Sequence, residues 1–533
     1  MPQPIGRYPV ATHPQLAEGW RLERLTPVSH LFGAAGMRVG PDGRIHIAQV
    51  SGSQISALDI DTGLVEAISP LGGDIVAPDD LAFDAQGNLY ATEVMDARVS
   101  VRSPDGRTRV LRDDLPSANG ITIHQGRLFV DECRIGGRLM ELSLDGGAPR
   151  VLLEDIPMPN ALEMGPDGML YFPVMGANEI WRIDPQGGAA EKVVGDLGVP
   201  DAVKFDKQGF IISTQVASGE VLRIDPRTGD RERLAALDPG LDNCVFVGER
   251  LFVSEFAGRI TEILGGGQTR TLLAGGFNGP FDLTVGNDGS LYIADGPKLF
   301  VLPPGGAPSV AGMLFTPGCP GYIRGIATAD GNGFVVTTSS GVVAFYRPAD
   351  LASEVLADGF DQLYGVTIAP GGKVIAAEFG AGRVVSIDAG ATEELAAGLS
   401  QPIDVALTAD GDCLVSESGA GRVVKLARGG VETVIDGLRR PHGILVRGAL
   451  LYIVDVGAKA VIEYDMATRT RRIVAADLPI GPPPGVTPKP LRGIPPHSGP
   501  MGPFAGIADG PDGTLYLSAD GEGSIIALRP IRG

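Results

Sequence analysis

Short runs in which Val, Ile and Leu alternate with polar residues recur along the whole chain. Each leads into a Gly-Asp or Gly-Asn turn and then a second apolar run. GPDGRIHI (40–47), DAQGNLY (84–90), GPDGMLYF (165–172), GNDGSLYI (286–293) and GPDGTLYL (510–517) are examples. Alternation with period two marks strands with one buried face, and the intervening Gly-rich turns mark hairpins. The grammar occurs twelve times, at a spacing of about 40 residues, a period that belongs to propellers and solenoids. In the second repeat PDDLAF, NLYATEV, ARVSVRS and TRVLRDDL read as four strands, A to D, from the inside outwards. A lone four-stranded sheet cannot bury both faces, whereas radial stacking buries them and protects the edges. Twelve repeats are too many for one ordinary ring. The pattern therefore predicts an all-β chain of two tandem six-bladed β-propellers, residues 1–270 and 271–533.

Two places depart from the grammar. The last repeat ends after SIIALRP without a fourth strand, and an orphan strand, WRLERLTPV, precedes the first repeat. Either Trp20–Val28 completes blade twelve, or it closes the first ring while the strand near residue 270 closes the second. The connection from blade eleven to blade twelve, residues 479–503, is a Pro-rich loop far longer than its counterparts. A long loop in a compact domain reads as a lid or as a packing arm.

Aligning the repeats exposes one position, two residues before the inner apolar triplet, that opens strand A and should face the central tunnel. In the first six repeats it is Ala35, Asp79, Asn119, Asn160, Asp201 and Asp242; in the second six it is Phe281, Arg324, Tyr364, Ile403, His442 and Ala505. Carboxylates gathered at one tunnel mouth repel, and need a cation or extra protons. Mixed Asp and Asn oxygens suit a hard cation such as Ca²⁺, and the lack of His or Cys argues against zinc, copper or iron. Strand B ends in a second ring of polar residues, among them Glu93, Glu132, Glu255, Glu378 and Glu417. Its regularity in both halves marks most of its members as structural ties. Glu132 stands out as a catalytic candidate, because Asp131-Glu132-Cys133 breaks the habit of a small residue before the acid.

The 77 glycines and the 20% of charged residues fit an all-β chain rich in tight turns. A net charge of −20 makes nucleic acid and anionic membranes poor partners and attracts cations; the expected partner is a small-molecule substrate. No secretory leader is visible, no window carries eighteen unbroken apolar residues, and the four cysteines lie far apart without a CxxC pair. Reduced core thiols and a cytoplasmic location are expected.

With SANGITI supplying Asn119, MPNALEM Asn160 and VPDAVKF Asp201, the first half resembles the calcium-dependent six-bladed hydrolases: the regucalcin/gluconolactonase family, diisopropyl fluorophosphatase and, more distantly, the paraoxonases. LDN at 241–243 resembles a paraoxonase ligand pair, one blade later. The resemblance implies Ca²⁺, or another divalent hard cation, on Asn119, Asn160, Asp201 and Asp242, with Asp79 completing the shell. It also implies hydrolysis of a lactone or related ester, with Asp201 or Glu132 as the base on water. In blade one the family's Glu is replaced by Ala35. The repeat as a whole is also similar to NHL propellers and to virginiamycin B lyase. There RPHGILV (440–446) resembles the presentation of a catalytic His, so a rival reading places lyase or isomerase chemistry on His442, Arg324 and Tyr364 of the second half. A non-catalytic interaction scaffold is the third reading. No Rossmann fingerprint, P-loop or GxSxG element is present.

Overall fold

The computed structural model describes residues 7, 13–427 and 429–531. Among these residues the chain forms twelve antiparallel sheets, eleven of four strands and one of five. They divide between two compact units. One comprises residues 30–276 with 485–494; the other comprises 277–484 and 495 onwards, together with the described residues before His30. In the first unit the blades span 37–69, 78–112, 118–157, 163–194, 204–236 and 241–273. In the second they span 283–313, 323–357, 363–397, 402–435, 441–476 and 507–530.

Each blade of the first unit is a meander of its own four consecutive strands. The inner faces of neighbouring blades share one apolar layer. Leu31, Met37, Ile45 and Leu58 of blade one pack with Val245, Phe252, Ile260 and Leu273 of blade six, so the ring closes on itself. Its sixth outer strand, Gln268–Leu273, pairs with Ile260–Gly265 inside the same blade and is not exchanged.

The second ring closes differently. Blade twelve draws three strands from Ile507–Asp509, Leu515–Ala519 and Ser524–Pro530, and its fourth is Trp20–Arg24. The register runs from Trp20 opposite Pro530 to Arg24 opposite Ile526. Trp20 supplies the anchor: it is buried among Val474, Leu478, Ile526 and Leu528, with its ring edge-on to Tyr452 at 6.4 Å. Gln15–Leu16 adds a short fifth strand beside Ala475 and Ala476 of blade eleven. Of the two closures that the sequence leaves open, the chain uses the first. A division at residue 270 assigns this strand to the first half, whereas its pairing carries it into the second unit.

The inner strands are sewn together in a repeated way. A strand-B hydroxyl donates to the main-chain carbonyl of the tunnel residue of the next blade: Thr92 to Asn119, Thr214 to Asp242, Ser254 to Ala35, Thr337 to Tyr364, Ser416 to His442 and Ser518 to Phe281. The residue after the tunnel position is pressed against the next blade. At Gly36 a β-carbon would stand 2.5 Å from the Asp79 carbonyl oxygen, and at Gly443 2.8 Å from that of Ala505. Where an Asp stands there instead, its carboxylate becomes the tie. Asp80 accepts from Ile121 N–H (3.3 Å), Asp282 from Ile326 (3.0 Å) and Asp404 from Ile444 (2.8 Å).

Trp20→Ala should remove about 3 kcal/mol from the second unit, as expected for truncating a buried aromatic ring. Limited proteolysis at intermediate denaturant should then cut within 441–530 before it cuts within 37–273, whereas wild-type protein should show no such order.

Candidate functional site

The tunnel position of the first ring is set by its strand starts. Asp79, Asn119 and Asp242 each sit second in an inner strand, at Pro78–Phe83, Ala118–His124 and Leu241–Val247. Asn160 and Asp201 follow the isolated bridges of Pro159 with Val174 and Pro200 with Gln215. The carboxyls act on one another. Burial pushes Asp79 up to about 7, with the charge of Asp80 adding to it. Burial and the charge of Asp79 raise Asp201 well above the ordinary carboxylate range, and burial and the charge of Asp201 do the same to Asp242. This is the like-charge strain expected when several acids share one low-dielectric mouth.

Asn160 is turned along the ring rather than into it. Its Oδ1 accepts from the Ala161 N–H (2.6 Å), and its Nδ2 donates to Asp201 Oδ2 (3.0 Å). It therefore orients Asp201, while its oxygen accepts one main-chain N–H and keeps a second lone pair. Asn119 is buried at its strand start. Among the described residues no three His, Cys, Asp or Glu side chains stand close enough to share one ion. The donors present, three carboxylates and the Asn119 amide, match a hard cation in type and in charge.

A further acid belongs to this mouth. Asp131 is fully buried, and it occupies the strand-B place that Thr92, Thr214 and Ser254 hold in other blades. Its Oδ1 accepts from Gly120 N–H (3.0 Å), while its Oδ2 is buried without a partner. Burial, with the charges of Asp80, Asp79 and Asp201, raises it well above the usual range. The signal was the large residue before Glu132.

Glu132 itself is an anchor. Its carboxylate is clamped by Arg134 (2.9 Å) and Arg138 (2.9 Å). The rest of that ring holds loop N–H groups: Glu93 accepts from Val76, Glu378 from Asp361 and Glu417 from Ser400. Three residues beyond the tunnel position, a charged layer crosses the same axis. Arg38 pairs with Glu163 (3.1 Å) and Lys204 with Glu163 (2.8 Å). Burial works against the Glu163 charge, but Lys204 and Arg38 hold its pKa below the ordinary value.

The second ring has a different axis. Phe281, Tyr322, Tyr364, Ile403 and Phe504 form an apolar collar with Met501. Arg324 is fully buried, with its guanidinium 4.2 Å from the Tyr364 ring centre. Asp282 and Asp404 give both oxygens to main-chain N–H groups, of Leu283 and Ile326 and of Val405 and Ile444 respectively. His442 is buried and accepts from Ala505 N–H through Nδ1 (3.3 Å), which leaves the ring proton on Nε2. Burial, and then the nearby Arg440 charge, lower its pKa to about 3. It is a neutral imidazole across the physiological range.

All four cysteines are free, and no helix among the described residues is long and apolar enough to cross a membrane. Residues 22–255 match the SMP-30/Gluconolactonase/LRE-like family model. Among curated proteins there is no match. Among solved structures the chain is similar to a streptogramin B lyase, at 20% identity over 52% of this chain and 96% of that one, with a TM-score of 0.38. It is similar to virginiamycin B lyase from Staphylococcus aureus at 18% identity, over 52% and 96%, with a TM-score of 0.38. A gluconolactonase from Xanthomonas campestris is similar at 19% identity, over 46% and 92%, with a TM-score of 0.39. These likenesses concern chain architecture and no residue roles. The gluconolactonase-like region covers the axial acids of the first ring and none of the second-ring collar.

Two outcomes test this placement. Glu132→Gln should cost about 3 kcal/mol in a denaturant melt, because it leaves the arginine clamp facing a neutral amide. Asp131→Thr, which installs the side chain of Thr92 and Thr214, should stay within about 1 kcal/mol of wild type. His442 gives a pH test. Its folded pKa lies below its unfolded one, so its contribution is complete above pH 6.5 and is lost as the pH falls towards about 3. Wild type should therefore lose about 1.4 kcal/mol per pH unit in that window relative to His442→Gln. Parallel stability profiles for the two proteins would contradict it.

Proposed function

We propose that the first ring hydrolyses a lactone or a related ester at its axial mouth. The observation that carries this reading is the convergence of Asp79, Asp201 and Asp242, each made a better proton acceptor by burial and by its neighbours' charge. The match of residues 22–255 to the gluconolactonase family model supports the same reaction class. Asp79, Asp201, Asp242 and Asn119 offer oxygen donors of the kind a divalent cation such as Ca²⁺ takes; no three of the acids stand close enough to share an ion as they are placed, so holding it would require these side chains to draw together. When bound, that ion supplies a Lewis acid for the ester carbonyl.

The chain's own groups divide the remaining work. Asn160 fixes the rotation of Asp201 through the 3.0 Å bond to Oδ2, which leaves Oδ1 to take a proton from water. Burial first, and then the charges of Asp79 and Asp80, raise the basicity of Asp201. The Arg38–Glu163–Lys204 layer lies deeper on the axis and closes the polar mouth beneath the acids. No part of this scheme uses Glu132, whose charge is spent on Arg134 and Arg138.

The test is a pH-stat assay over aliphatic lactones, sugar lactones and aryl acetates, before and after EDTA and again after calcium is restored. Turnover should vanish with chelation and return with the ion. Asp201→Asn should lower kcat by about 100-fold or more, and Asn160→Ala should lower it less, without a change in melting temperature. Full activity after exhaustive chelation, or in Asp201→Asn, would overturn the reading.

A further inference from the structure

Arg324 is the one buried cation of the second-ring collar. It is the second residue of the inner strand Ile323–Thr328 and is 0% exposed. Its Nη2 donates to the Pro500 carbonyl, but Nε and Nη1 are buried without a hydrogen-bond partner. The acids one residue beyond the tunnel position are engaged elsewhere, since Asp282 and Asp404 accept main-chain N–H groups of their own and adjacent blades. A guanidinium in an aromatic box with one carbonyl for company carries a large uncompensated desolvation cost. Hydrophobic packing alone would have been served better by Met or Leu.

The segment above it is built as a cover. In residues 495–503, Gly499 N–H donates to Ser339 Oγ (3.1 Å), Pro500 caps Arg324, and Met501 joins the collar. Gly502 lies so close to Tyr364 that a β-carbon there would stand 2.5 Å from its hydroxyl oxygen. His497 stacks on Phe315 at 5.4 Å. Every one of these contacts holds the Pro-rich segment down on the axis of this ring.

We propose that the second ring binds a small organic carboxylate on Arg324, with residues 495–503 as the lid that opens to admit it and closes over it. The planar fork of Arg324 matches a carboxylate, and a single negative charge balances the single positive one. The collar of Phe281, Tyr322, Tyr364, Ile403, Phe504 and Met501 suits an apolar body on that acid. The site lies in the second unit and stands independently of the hydrolase reading of the first.

Calorimetric titration of the full chain with sodium benzoate and sodium acetate, at matched ionic strength, tests it, with inorganic phosphate as the discriminating arm. One equivalent of carboxylate should bind, benzoate more tightly than acetate, and the melting temperature should rise. Arg324→Met should raise the benzoate Kd by roughly 10- to 100-fold, with a ligand-free melting temperature equal to or above that of wild type. A measurement on wild type alone keeps the idea exposed should that variant misfold: benzoate should slow amide hydrogen exchange across residues 497–502. Absence of carboxylate binding, phosphate binding in its place, undiminished binding by a folded Arg324→Met, or unaltered exchange in the lid would each overturn the proposal.

Discussion

Both rings depend on the close approach of neighbouring inner strands at the axis. Ser and Thr hydroxyls bridge strand B of one blade to the tunnel-residue carbonyl of the next, as from Thr92 to Asn119 and from Ser416 to His442. The residue after the tunnel position must then be very small or must itself form the tie. In most blades it is Gly (36, 120, 325, 365, 443 and 506), Ala (161 and 202) or Asp (80, 282 and 404), and blade six, with Asn243, is the exception. With these hydroxyl ties made to the carbonyl of the tunnel residue, its side chain is not required for that link, although Asn160 and His442 make main-chain bonds of their own. The scaffold thus holds six side chains at a fixed radius and leaves their chemistry open.

The two axes use that freedom in opposite ways. The first collects acids, and burial with mutual repulsion raises the pKa of each. The second collects aromatic rings around one guanidinium. Each arrangement costs stability in the isolated chain, because charge is taken out of water without an equal partner. The charged layer of Arg38, Glu163 and Lys204 shows the contrast within one ring: there the charges are paired, and Glu163 stays below its ordinary pKa. The same ring thus holds acids without a cationic partner at one level and fully paired charges three residues along the same strands.

Much of this was legible in the residues. The repeat, the strands and the tunnel position follow from alternation and turn chemistry, because both are local. Asp79, Asp201 and Asp242 were found by reading one column of the alignment, and the structure brings them into one electrostatic group. What escaped reading depends on which way a side chain turns. Asn160 accepts from Ala161 N–H and donates to Asp201, bonds that no sequence pattern displays. Glu132 meets two arginines, while the neighbouring Asp131 is fully buried and accepts from Gly120 N–H. The Gly and Asp column beside the tunnel position was present in the sequence, but its meaning comes from the distance between blades, which no single repeat reveals. The closing strand was equally ambiguous, because Trp20–Arg24 would serve either ring as an outer strand and only its partner decides.

That partner has a consequence for synthesis. The first ring lies within one continuous stretch of chain, so its blades are complete once residue 276 has left the ribosome. Trp20–Arg24 is made before all of them and must wait, unpaired and with its Trp uncovered, until Ser524–Pro530 emerges. The second ring therefore matures in a single late step that joins the earliest strand to the latest. A nascent chain halted between residues 276 and 524 would carry all six blades of the first wheel and an open second one.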